Sequence, residues 1–137
     1  MGRDTRTGGV LEAMILPALN RGGYTYEVQQ KVGLRIGGGT HKVDAVAQKN
    51  GQKILVSLKW QQVGGTAEQK VPFEVVCLAE AIRTGEFKKA YLVLGGDGWS
   101  LREFYTSGGL DKHLTDCDKV KVLTLERFVA VANQGKL

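Results

Sequence analysis

The sequence has little of what builds cross-linked or metal-stapled folds. Its 137 residues include 2 Cys, 2 Pro and 2 His. Cys77 and Cys117 are too far apart to form a metal-spaced pair and too few for a disulfide framework. Both thiols are expected to be reduced in an intracellular setting. His41 and His113 lack ligand spacing, which argues against a zinc site. Pro17 and Pro72 stand alone, so there is no Pro-rich linker. No apolar stretch approaches the ~18 residues of a membrane span. The opening MGRDTRTGG has no apolar core behind its arginines, unlike a secretory signal. Arg6 stands where a myristoylation signal needs Ser or Thr. The expectation is a cytoplasmic protein with no membrane partner.

What the chain does have is an ordinary globular composition, 42% apolar and 24% charged. It reads as one domain over residues 1–137. The net charge is +5, and its distribution is uneven. Residues 1–60 carry nine Lys/Arg against four Asp/Glu, whereas residues 61–137 carry ten of each. All the excess therefore lies in the first sixty residues, which suggests a polyanionic partner, with nucleic acid first.

Glycine pairs and triplets punctuate the elements. Val10–Asn20 reads as a helix with Leu11, Met14, Ile15, Ala18 and Leu19 on one side, kinked or shortened by Pro17. Tyr24–Val32, His41–Gln48 and Lys53–Gln61 read as strands, the last two joined by the Asn50-Gly51 hairpin signal. A helix follows, starting either at the capping box Thr66-Ala67-Glu68-Gln69 or at Pro72. Its apolar stripe is Val71, Val75, Leu78 and Ile82. Then come a strand over Ala90–Leu94, a short helix over Ser100–Thr106, a strand over Lys119–Leu125 and a helix over Glu126–Asn133. The order α-β-β-β-α-β-α-β-α gives an α/β fold with a mixed sheet. Gly37-Gly38-Gly39-Thr40 precedes a strand and lacks the Gly-Lys-Ser/Thr of a nucleotide loop.

The hairpin turn fixes a register. With Asn50-Gly51 as a two-residue turn, Asp44 lies opposite Ser57 and Lys42 opposite Lys59. On one face of an antiparallel pair, opposite residues sit ~5 Å apart and diagonal ones ~7–8 Å. Asp44, Ser57 and Lys59 therefore share a face, with Gln61 two residues further along. A lysine in the apolar run KILVSLKWQ is costly unless its charge is used. The constellation is either a structural ion pair or a metal-hydrolysis site. In the second case a carboxylate holds a hard cation while the lysine orients water or stabilises developing charge.

Val43-Asp44, a hairpin, then Ser57-Leu58-Lys59 resembles the PD-(D/E)XK nuclease superfamily, whose restriction-endonuclease-like αβββαβ core matches the element order through residue 95. The resemblance implies Mg²⁺-dependent DNA cleavage, with Mn²⁺ as a substitute, most naturally by an endonuclease acting as a homodimer. It departs at Val43, in place of proline, and at Ser57, in place of the second acid. Serine there reads either as an S-x-K variant that takes its acid from the following helix or as an inactivating replacement. Glu68 and Glu74 are the helix candidates, about 60° either side of Val71 at ~100° per residue, with a slight preference for Glu68 near the Lys59 strand end. Glu12, expected near the core, matches an acid that many members carry in the first helix. The implied metal set is Asp44, Glu12, Glu68 or Glu74 and the Leu58 carbonyl. Lys59 would contact the attacking water, Gln61 would position water or phosphate or serve the structure, and Gln69-x-x-x-Phe73 resembles a Gln-x-x-x-Tyr element of some branches. Lys42, Arg35, Lys53, Lys70, Gln69 and His41 are the expected DNA contacts. The alternative is a nuclease-fold DNA-binding or assembly module without chemistry.

Overall fold

The computed structural model describes residues 5–65 and 67–137. The chain begins with α1 (Thr5–Val10), a π-helical turn (Leu11–Ile15) and α2 (Leu16–Arg21). Pro17 has no N–H to give to a carbonyl four residues back. Just ahead of it the ladder widens, and the Leu16 N–H reaches the Leu11 carbonyl. The expected kink is thus absorbed by a π turn. The wider turn changes the angular step. Leu11, Ile15, Ala18 and Leu19 stay buried, while Met14 leaves the expected stripe and is exposed.

Strands β1 (Thr25–Leu34), β2 (Thr40–Lys49) and β3 (Gln52–Trp60) follow as an antiparallel meander. α3 (Ala67–Thr84) crosses to β4 (Phe87–Gly95), which pairs parallel to β3. α4 (Arg102–Thr106) and a 3₁₀ turn (Gly109–Lys112) lead to β5 (Val120–Thr124), which pairs parallel to β4, and α5 (Leu125–Asn133) closes the chain. The sheet order is β1-β2-β3-β4-β5. Thr66, the expected capping residue of α3, lies outside the described residues. α3 begins ahead of Pro72 and carries that proline inside it.

The sheet has two covered faces, which is why β3 and β4 read as nearly continuous apolar runs. Ile54, Val56, Leu58, Tyr91 and Val93 pack with α2 and α5, where Phe128 meets Tyr91 edge-on at 5.6 Å. Leu55, Ala90, Leu92 and Leu94 pack on the other side with Val71, Val75 and Leu78 of α3. Each fully buried aliphatic or aromatic side chain contributes ~1.5–3 kcal/mol of transfer free energy. The core is therefore ample to hold polar groups at the end of β3.

The β2–β3 turn is as its sequence dictates. Asn50 and Gly51 have φ of 54° and 77°, the left-handed pair that a type I′ turn requires. The register Lys49↔Gln52 through Ala45↔Val56 follows.

Candidate active site

The paired ladder of β2 and β3 stops at Ala45↔Val56, one step before Asp44. Ala45 and Ala47 face the α2/α5 layer. Val43 faces α3, and His41 reaches Glu74 of α3. Strict alternation would place all four on one side, so the alternation slips at Asp44. On β1 the residue at the level of Asp44 is Gln29, between Val28↔Ala45 and Gln30↔Val43. Gln29 has φ of 53°, a left-handed conformation that a non-glycine residue adopts at some cost. Both strands are therefore irregular at one level. The result is that the half-buried Asp44 carboxylate turns toward β3, where its Oδ2 accepts the Leu58 N–H at 2.7 Å. A side-chain bond to an ionised acceptor takes over where the backbone ladder ends.

Ser57 and Lys59 lie on the α3 side of β3. The Ser57 hydroxyl, almost fully buried, donates to Glu74 Oε2 at 3.0 Å. His41 Nε2 lies 3.0 Å from the same oxygen. Glu74 itself is buried. Burial opposes its ionisation, but the His41 bond, the Lys59 charge and the Ser57 bond outweigh that, and its pKa lies below the usual carboxylate range. Among the described residues, Glu74 Oε1 accepts no hydrogen bond, and Lys59 forms no ion pair.

Glu68 sits differently. It too is buried, at the first turn of α3. Its two oxygens accept the N–H and hydroxyl of Ser100, the Leu101 N–H and the Gln61 amide. Burial again opposes ionisation, and these bonds, Ser100 foremost, overcome it and lower the pKa. Gln61 is equally committed. Its amide nitrogen also donates to the Gly98 carbonyl at 2.7 Å, and its oxygen accepts the Ala67 N–H at 3.0 Å, capping α3. Gly96 makes this closure possible, since it has φ of 89° and a Cβ there would collide with the Gln61 carbonyl. Glu68 and Gln61 thus tie the start of α3 to the turn before α4. Both oxygens of Glu68 and both amide hydrogens of Gln61 are engaged.

The remaining expected residues divide. Glu12 is exposed on the π turn. The expectation that it sits near the core is corrected, because the turn points it outward between buried Leu11 and Ile15. His41 is corrected more strongly. It is 0% exposed, so it cannot meet a phosphate, and its slipped strand turns it to Glu74 instead. Arg35, Lys42, Gln69 and Lys70 are exposed at the Lys59 end of the sheet or at the start of α3. Lys53 stands beside the Asn50-Gly51 turn, about 20 Å along β3 from Lys59 at strand spacing, and lies 3.9 Å from Glu86. It is not brought to the site.

The residue the sequence most undervalued is Glu74. Its spacing, three after Val71, put it at the edge of the buried stripe, as the spacing of Glu68 three before Val71 also did. Tyr105 had no signal at all. Pro72 cannot donate to the Glu68 carbonyl, and the Tyr105 hydroxyl donates to it instead at 2.7 Å.

Among the described residues no three His, Cys, Asp or Glu side chains gather as a ready metal cage. The arrangement instead pins two carboxylates to consecutive residues of β3, Glu74 through Ser57 and Asp44 through Leu58, directly before Lys59. The PD-(D/E)XK nuclease superfamily domain matches residues 3–136 of the chain. The chain belongs to the PD-(D/E)XK nuclease superfamily. The sheet and its helices are the restriction-endonuclease-like fold of that superfamily. The fold is shared with the crystal structure of a protein of unknown function, AF1548, at 12% identity and a TM-score of 0.50. The match covers 80% of this chain and 54% of that one, so the chain spans about half the length of that relative. No curated protein matches. In this PD-(D/E)XK chain the carboxylate bonded to the Ser57 hydroxyl is that of Glu74. No helix among the described residues is long and apolar enough to cross a membrane. A concavity of about 630 Å³ by Tyr105, Lys121 and Arg127 is lined by none of Asp44, Ser57, Lys59 and Glu74.

Proposed function

We propose that this nuclease-family chain hydrolyses DNA phosphodiesters with a divalent cation, Mg²⁺ or in its place Mn²⁺, and that Glu74 supplies the acid that Ser57 lacks. The observation that carries the reading is the double pinning at β3, with Asp44 on the Leu58 N–H at 2.7 Å and Glu74 on the Ser57 hydroxyl at 3.0 Å. The donor set suits a hard cation. Mg²⁺ is typically bound through one or two carboxylates and keeps several waters, so two carboxylates and a peptide carbonyl are enough. Asp44, Glu74 through Oε1 and the Leu58 carbonyl would hold it. The bound cation would polarise a phosphoryl oxygen and make water more acidic.

The chain's own groups do the rest. Lys59 brings a cation to the half-buried C-terminal end of β3, where it orients the attacking water and offsets charge growing on the phosphate. Ser57 and Leu58 fix the two carboxylates so that little rearrangement is needed. Lys42, Arg35, Lys70 and Gln69 contact backbone phosphates, which position a strand without reading its bases. One site per chain makes cutting of both strands a task for a homodimer.

A serine in place of the second acid, taken alone, fits an inactive DNA-binding module. As the donor to Glu74 it supports the active reading instead. Supercoiled plasmid incubated with Mg²⁺ or Mn²⁺ is expected to be nicked or linearised, and Asp44→Ala to abolish this. Salt-dependent DNA binding without cleavage in either ion, or cleavage unchanged in Asp44→Ala, would reject the proposal.

A further inference from the structure

His41 is an unusual occupant for a core strand position. It is 0% exposed and faces α3. Among the described residues its Nδ1 has no hydrogen-bond partner. A leucine or phenylalanine would fill such a position without leaving a buried polar atom unpaired. Among the described residues its polar contact is to Glu74 Oε2, shared with the Ser57 hydroxyl. The Ser57 hydroxyl donates to the same Glu74 oxygen, and a carboxylate oxygen accepts, so the His41 contact is read as Nε2–H donating to Oε2.

We infer that His41 is a positioning residue for the metal site: its Nε2–H, with the Ser57 hydroxyl, fixes Glu74 Oε2 and so sets where the other oxygen, Oε1, stands as a cation ligand. The inference rests on the proposed metal-dependent reading and deepens it. Three observations support it. Both donors meet the same oxygen, so the carboxylate cannot rotate about its last bond without breaking two bonds. The ring is enclosed on a strand, so it does not swing. The alternation slip at Asp44 is what turns His41 toward α3, so one irregularity of β2 serves both carboxylates: it aims Asp44 at Leu58 and places the donor that holds Glu74. Hydrogen-bonded supports of this kind behind a ligating group are typically worth ~10–100-fold in metal affinity or activity.

Mn²⁺ titration by calorimetry tests this on the purified chain, alongside circular dichroism to establish folding and duplex binding in EDTA. The wild type is expected to bind Mn²⁺. A folded His41→Leu is expected to bind it ~10–100-fold more weakly, with duplex affinity in EDTA unchanged. His41→Gln, which keeps an N–H donor, is expected to regain most of the loss. A folded His41→Leu with wild-type Mn²⁺ affinity would overturn the inference and leave the metal reading standing. So would a His41→Gln as weak as His41→Leu, since packing rather than the donor would then be responsible. A wild type that binds no Mn²⁺ would overturn the metal reading and the inference with it. Should His41→Leu fail to fold, ¹⁵N spectra of the wild-type imidazole decide. The expected result is a proton on Nε2 and a shift of that resonance on adding Mg²⁺. A bare Nε2, or a resonance that Mg²⁺ binding leaves in place, would overturn the inference.

Discussion

Glu68 and Glu74 lie six residues apart on one helix, and both are buried and held below the ordinary carboxylate pKa range. They differ in how their oxygens are used. Glu68 accepts from Ser100, Leu101 and Gln61 across both oxygens. Glu74 takes both its bonds on Oε2. A lowered pKa alone therefore says nothing about role. The unused oxygen does, because a saturated carboxylate is a structural knot whereas a half-used one beside a lysine can still take a cation.

The comparison is broken most sharply by removing each acid in turn. Glu74→Gln is expected to reduce DNA cleavage by about 10³-fold, the equivalent of ~4 kcal/mol, with the fold intact by circular dichroism. Lys59→Met is expected to cost about 10²-fold in kcat while Mn²⁺ affinity in calorimetry is not reduced. Glu68→Gln should do the reverse, lowering the urea midpoint more than Glu74→Gln does and leaving specific activity per folded molecule near wild type. If Glu68→Gln silences a well-folded enzyme, the assignment of the two acids is inverted.

A pH series sharpens the same contrast. Glu68 has its pKa lowered by folding, so its stabilisation is complete above the unfolded-state value of ~4.3 and fades as pH falls through the lower folded value. The stability deficit of Glu68→Gln, measured by urea unfolding, is therefore expected to be full at pH 7 and to shrink below about pH 4. The smallest effect concerns the knot's neighbour. Tyr105→Phe leaves the Glu68 carbonyl without its donor and is expected to cost about 1 kcal/mol. In a Pro72→Ala background the new N–H can take that carbonyl, and the cost should fall.

Much of this arrangement was legible in the sequence. Asn50-Gly51 demands positive φ twice, which fixes the register as far as Ala45↔Val56, one step short of the expected Asp44–Ser57 pair, and strand alternation puts Ser57 and Lys59 on one face. The alternation of β-branched and apolar residues with glycine pairs gave the element order. The choice between Glu68 and Glu74 was not legible, because helical geometry places them symmetrically about Val71. What sets them apart is the loop that Glu68 meets, with Ser100 thirty-two residues away. The slip at Asp44 was likewise hidden. It depends on Gln29 adopting a left-handed conformation across the sheet, which no local pattern announces. His41 reads as a DNA contact, and the slip instead turns it to Glu74 of α3. Glu12 reads as a core-facing acid until the π turn before Pro17 rotates it to solvent.

The central claim is that one divalent cation sits between Asp44 and Glu74, and a crystal structure grown with Mn²⁺, read by its anomalous signal, tests it most directly. The account predicts a single strong peak touching Asp44 and Glu74 Oε1, with Glu68 still bound to Ser100. A peak ligated by Glu68, with Glu74 left only to His41 and Ser57, would contradict it.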